Sequence, residues 1–163
     1  MKSIFKLLVA AFLTVAPLTV IAQSNVAHIN VQQLISEMPE VIAAQNELAK
    51  LEKDYTTQID NAFKEFQTKA QSYSSDAANQ TDVTNQARQK ELESMQTNLQ
   101  EFRDSAAQEL QKKQMDLMTP LLEKARNAIT KVGEEQGFNY VIDSSPNGGI
   151  ILANGKDLLA DVK

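Results

Sequence analysis

The chain has 163 residues, no cysteine and one histidine, with 21 acidic side chains against 16 basic ones. Disulfide scaffolds and thiolate metal sites are excluded, and the acidic balance argues against a surface for nucleic acid or anionic lipid. Glycine and proline are scarce while Ala, Gln, Glu, Lys and Leu are plentiful, a helical composition with coiled-coil usage.

Residues 1–22 read as a signal peptide. Lys2 and Lys6 give a positive start, Leu7 to Ala16 an apolar core, and Val20-Ile21-Ala22 small or β-branched residues before a cleavage between Ala22 and Gln23. The apolar run is short for a membrane span and no other segment approaches one. An exported chain without stable membrane insertion is expected. Lys2 and Lys6 leave with the leader, so 14 basic residues remain against 21 acidic, a charge of −7 on 141 residues, enough for one domain.

A short strand is predicted over Asn25–Asn30. Asn30 caps a short helix with Leu34, Ile35 and Met38 on its buried face. Pro39 stops that helix at Met38 and opens the next. From Pro39 to about Tyr73 an apolar stripe runs Val41, Ala44, Leu48, Leu51, Tyr55, Ile59, Ala62, Phe66, Ala70, Tyr73. From Leu51 its strides are 4, 4, 3, an 11-residue period that favours a straight or slightly right-handed pair. Ser72–Asp82 lacks apolar periodicity and reads as a tip, with Thr81 or Asp82 capping the returning helix. That helix carries Leu92, Met95, Leu99, Phe102, Ala106, Leu110, Gln114 and Leu117.

The two stripes are mirror images. Leu48 falls opposite Leu110, Leu51 opposite Ala106, Tyr55 opposite Phe102, Ile59 opposite Leu99, Ala62 opposite Met95, Phe66 opposite Leu92 and Ala70 opposite Ala87. The numbers of each pair add to 157 or 158, the arithmetic of an antiparallel helical hairpin in one register. Large residues tend to face small ones, as interdigitating layers require.

Beyond the hairpin, Thr119-Pro120 predicts a kink or a fresh helix start. The apolar face there widens to include Met115, Met118, Leu121, Leu122, Ala125, Ile129 and Val132, as in a helix docked on a body. Gly133 and Gly137 are expected to end it. Strands follow at Phe138–Asp143 and Ile150–Leu152, then a terminal helix Asp157–Lys163 capped by Asp157. The fold class is α+β, predominantly α. A hairpin arm over 39–117, with its tip near 74–84, stands on a discontinuous body of 23–38 and 118–163. The expected body core is Val26, Ile29, Leu122, Ile129, Tyr140, Ile142, Ile150 and Leu152. Three short strands bury too little to support such an arm, so oligomerisation through the body is expected.

No phosphate loop, nucleophile elbow or catalytic carboxylate pair is present. His28 has no partners for a metal or catalytic site, and Asp143 and Asp157 fit turn and cap roles. The chain reads as a binding or scaffolding protein, not an enzyme, with no cofactor. Phe63 lies beside the seam, where Ala62 and Phe66 already fill the layers, and is a candidate contact for bound chains. Tyr73, Met95 and Phe102 are further candidates, weighed against packing within the seam.

The arrangement resembles the Skp (OmpH-like) family of periplasmic chaperones over the whole mature chain. The resemblance rests on Glu37-Met-Pro-Glu40, Pro120-Leu-Leu-Glu-Lys124, Gly137-Phe-Asn-Tyr-Val-Ile-Asp143, Gly148-Gly149-Ile150 and Lys156-Asp157-Leu158. It implies a homotrimer whose bodies join in a small barrel, with three arms enclosing a cavity. Unfolded outer-membrane proteins would be held there without ATP. One departure stands out. Residues 68–90 hold only Lys69, Arg88 and Lys90 against Asp76 and Asp82, so the family's positive tip is missing and lipopolysaccharide binding is not carried over. An envelope coiled-coil spacer that binds one folded partner is the alternative from another functional class.

Overall fold

The computed structural model describes residues 25–146 and 148–163, and the expected signal peptide lies outside them. In chain order come β1 (Val26–Ile29), α1 (Val31–Glu37), α2 (Pro39–Asp76), a 3-10 turn (Ala77–Asn79), α3 (Asp82–Glu135), β2 (Tyr140–Asp143), β3 (Lys156–Asp157) and α4 (Leu159–Val162). The protein is predominantly helical with a small strand body.

The body is a three-stranded parallel sheet in the order β2-β1-β3. Its central strand supplies two core residues, Ala27 and Ile29, both essentially inaccessible, and Leu34, Ala125 and Leu158 complete the cluster. Ile35, Met38, Ile129, Val132, Phe138 and Val141 pack around it. Local chemistry sets each joint. The Asn30 Oδ1 accepts from the Gln33 N–H at 2.9 Å, starting α1. Asp143, ending β2, accepts from the N–H groups of Ser145 (2.9 Å) and Val31 (3.3 Å), which ties the sheet edge to the first turn of α1. Partial burial opposes the Asp143 charge, but these hydrogen bonds outweigh it and leave the carboxyl below its ordinary value.

Helix α3 ends within the body in a Schellman motif. The Phe138 N–H donates to the Gly133 carbonyl at 2.9 Å and the Gly137 N–H to that of Glu134 at 3.0 Å. Gly137 has φ +73°, the left-handed conformation that side chains make unfavourable. Gly133 has a different role from the helix end expected of it: it lies inside α3, and a Cβ there would sit 2.8 Å from Val141 Cγ2. The missing side chain lets β2 approach the helix, and the helix ends only where Gly137 turns it.

Three other expectations change. Thr119-Pro120 neither breaks nor restarts the helix, since α3 runs through it for 54 residues, roughly 80 Å. Pro120 removes the donor for the Asp116 carbonyl, but Asp116, Thr119 and Pro120 are all exposed, so water satisfies that group. The boundary expected at 117/118 therefore falls within a continuous helix. Ile150–Leu152 is not a strand: β3 is Lys156–Asp157, two residues before Leu158 enters the core. Burial of Leu158, with its N–H donating to the His28 carbonyl at 3.0 Å, selects that segment to flank β1. Three consecutive apolar residues have no alternation to offer a one-sided sheet. The terminal helix is correspondingly short, and Asp157 stays in β3 while its carboxylate accepts from the Leu159 N–H at 2.9 Å.

The candidate binding surface

Helices α2 and α3 touch through contacts that run in reverse order along the two. Tyr55 meets Phe102 edge to face, with ring centroids 6.0 Å apart and planes at 72°, a favoured aromatic geometry. Leu99 and Ala106 are buried, and Leu48, Leu51, Tyr55, Ile59, Phe66, Leu92, Met95, Phe102 and Leu110 are half-buried among exposed neighbours. Near the body Val41 and Ala44 are buried. Gln114 is exposed, as is Ala87, expected opposite Ala70. Apolar layering therefore gives way before the tip.

Polar side chains take over where the layers thin. Glu91 accepts from Lys69 Nζ and from the Tyr73 hydroxyl, each at 2.6 Å. Arg88 donates to Asp76 at 3.0 Å and lies 4.7 Å over the Tyr73 ring, a cation–π arrangement. Lys69 and then Tyr73 hold the Glu91 carboxyl below its ordinary value, and Arg88 does the same for Asp76. The hydrogen bond to Glu91 raises Lys69 and Tyr73 in turn. Toward the body, Glu109 accepts from the Tyr55 hydroxyl, Lys113 pairs with Glu47 at 2.7 Å, and Lys124 pairs with Glu40.

These links escaped the apolar reading, and their pair sums lie above its 157 or 158. Lys69 with Glu91 and Glu47 with Lys113 add to 160. Glu40 with Lys124, Tyr55 with Glu109, Tyr73 with Glu91 and Asp76 with Arg88 add to 164. These partners are staggered along the helices from the apolar layers, so a fold-back held at 157 or 158 does not pick them out.

Of the candidate contacts, Tyr73, Met95 and Phe102 lie along the pairing surface, whereas Phe63 is 39% exposed beside it. The body's candidates divide differently. Ile29 is in the core, Ile129 packs on it and Ile142 is half-buried, but Val26, Leu122, Tyr140, Ile150 and Leu152 are exposed. Ile151 between the last two is fully exposed. A groove of about 600 Å³ opens on the same body, with Ile35, Leu122, Ile129, Phe138 and Val141 among its walls.

His28 Nδ1 lies 3.1 Å from the Ser144 hydroxyl, a bond that joins β1 to the loop after β2. Among the described residues no group of three or more His, Cys, Asp or Glu is placed to hold a metal ion, and no helix is long and apolar enough to cross a membrane.

A small sheet carrying two long paired helices with a bare body face is the build of a binding scaffold. Residues 25–163 match the model of the family described as outer membrane protein (OmpH-like), and the chain belongs to that family. It is similar to the chaperone protein Skp of Yersinia enterocolitica, with 26% identity over 144 residues that cover 85% of this chain and 84% of the relative. The family is one of chaperones rather than enzymes.

Proposed function

We propose that the protein is an ATP-independent holding chaperone of the periplasm. It encloses unfolded outer-membrane proteins between helical arms and keeps them from aggregating. The carrying observation is the pair of long helices, 38 and 54 residues, whose contacts in reverse order support an antiparallel hairpin arm. Family membership and the similarity to a chaperone give that arm its use. The exposed apolar residues of the body, from Val26 and Tyr140 to Ile150–Leu152, support oligomerisation, and the family supports a homotrimer. The reading of residues 1–22 as an export signal supports the periplasmic compartment. Holding would be multivalent: many weak contacts within one cavity give useful affinity without a single strong site.

Dilution of a denatured outer-membrane barrel protein into buffer with and without the protein is the test. Suppressed light scattering without ATP, with a complex of one client per oligomer by native mass measurement, is expected. Unchanged scattering would remove the chaperone reading. A single stoichiometric complex with one folded envelope protein, without any protection of unfolded chains, would favour a spacer.

A further inference from the structure

The two flanks of the paired helices differ in chemistry. At 100° per residue, Glu40, Glu47, Asp54, Glu65, Lys69 and Asp76 fall on one side of the α2 stripe. The same arithmetic for α3 places Glu91, Glu109 and Asp116 on the adjoining side. The polar links from Glu40–Lys124 to Asp76–Arg88 all use residues of this flank. The opposite flank carries Gln45, Thr56, Phe63 and Gln67 on α2, and Gln96 and Ala107 on α3. Between residues 45–74 and 89–114 its only charges are Glu52 and Arg103, both at the edge of the seam. On it Phe63 is 39% exposed, although Ala62 and Phe66 already fill the packing layers.

We propose that this uncharged flank is the surface against which an unfolded polypeptide lies, and that the ion-paired flank faces away from it. The proposal rests on the holding-chaperone reading and adds which side of each arm does the holding. An unfolded chain presents apolar side chains and unpaired backbone N–H and C=O groups. A flank of glutamines offers amide donors and acceptors to that backbone without charges that must lose their hydration. Phe63 offers apolar contact area on the same surface. The ion-paired flank is poorly suited to this, because an apolar chain lying on it would strip water from Glu65, Lys69 and Glu91 with nothing to replace it.

The chain lacks cysteine, so single-cysteine variants can report each flank. Gln67→Cys and Gln96→Cys probe the uncharged flank, while Gln58→Cys and Asn98→Cys probe the other at similar heights; all four side chains are exposed. Each variant carries an environment-sensitive dye and is titrated with a denatured outer-membrane barrel protein, with scattering followed in parallel. Blue-shifted, brighter emission at residues 67 and 96 with little change at 58 and 98 is expected. Phe63→Glu, a change at an exposed position, should weaken client affinity several-fold with helical content preserved. Equal or larger dye responses at 58 and 98, with aggregation still suppressed, would overturn the flank assignment alone. Failure of unlabelled protein to suppress aggregation would overturn the chaperone reading and this inference with it.

Discussion

Gly133→Ala pits two known effects against each other. In an exposed helix interior, replacing glycine by alanine stabilises by about 1 kcal/mol. Here the new Cβ would meet Val141 Cγ2 at 2.8 Å, more than half an ångström inside ordinary contact. Val141 is β-branched, stiff at χ1, and held in β2 by its pairing with Ala27, so it has little room to rotate away. Overpacking of this kind costs about 1–3 kcal/mol. The clash should therefore cancel or outweigh the propensity gain, leaving the variant between neutral and about 2 kcal/mol less stable. Urea unfolding followed by circular dichroism, at fixed protein concentration because assembly shifts the midpoint, measures the change. Val141→Ala should lose stability alone, yet in combination with Gly133→Ala it should recover part of the loss, with a coupling of at least about 0.5 kcal/mol. A gain of about 1 kcal/mol for Gly133→Ala alone, with no coupling to Val141, would refute the tight helix–strand contact.

Gly137→Ala separates conformation from contact, since a Cβ there meets nothing within 4 Å; the left-handed backbone alone should cost about 1–2 kcal/mol, read from the same urea midpoints. At the tip, Glu91 and Asp76 lie below their ordinary values of 4.5 and 3.8. Their contribution is complete above those values and is lost as pH falls through them toward the lower folded values. Lys69 and Tyr73 are raised, so their share persists at neutral pH and disappears only above their ordinary values of 10.5 and 10.0. Hydrogen-exchange protection over residues 70–91, corrected for intrinsic rates, should fall in acid and be unchanged from neutral to mildly alkaline pH. For assembly, Ile151→Asp changes a side chain fully exposed in the single chain and should lower the mass in solution at dilute concentration. An unchanged oligomer mass would place the interface elsewhere.

The arm was the more legible half of the molecule. Its apolar stripe repeats over many turns, so the two long helices are legible in the spacing of Leu48 through Leu110, and Thr81, one of the two candidate caps, accepts from the Thr84 N–H. The body resisted because its strands and terminal helix are four residues or fewer and tertiary packing chooses among them. Ile150–Leu152 has the stronger strand propensity, but Leu158 has the place in the core, and Lys156–Asp157 is drawn into the sheet by that neighbour. Gly133 reads as a stop signal in isolation, and only the approach of Val141 reveals its packing role. Pro120 reads as a kink or a fresh helix start, and the helix continues through it on an exposed face. The polar links between the helices were not readable from the apolar fold-back, since their sums of 160 and 164 lie off its register.

The eleven-residue stride makes the arm adjustable in fixed increments. Because α3 enters the body without interruption, deleting one residue would rotate everything beyond it by 100° and swing the glutamine flank out of position. Removing eleven residues from each long helix subtracts close to three turns, about 16 Å, and returns every surviving side chain to within about 20° of its original bearing. On the proposed reading, the depth of the space between the arms would be set on a ruler with coarse divisions, and shorter arms with the same lining would lie one division away.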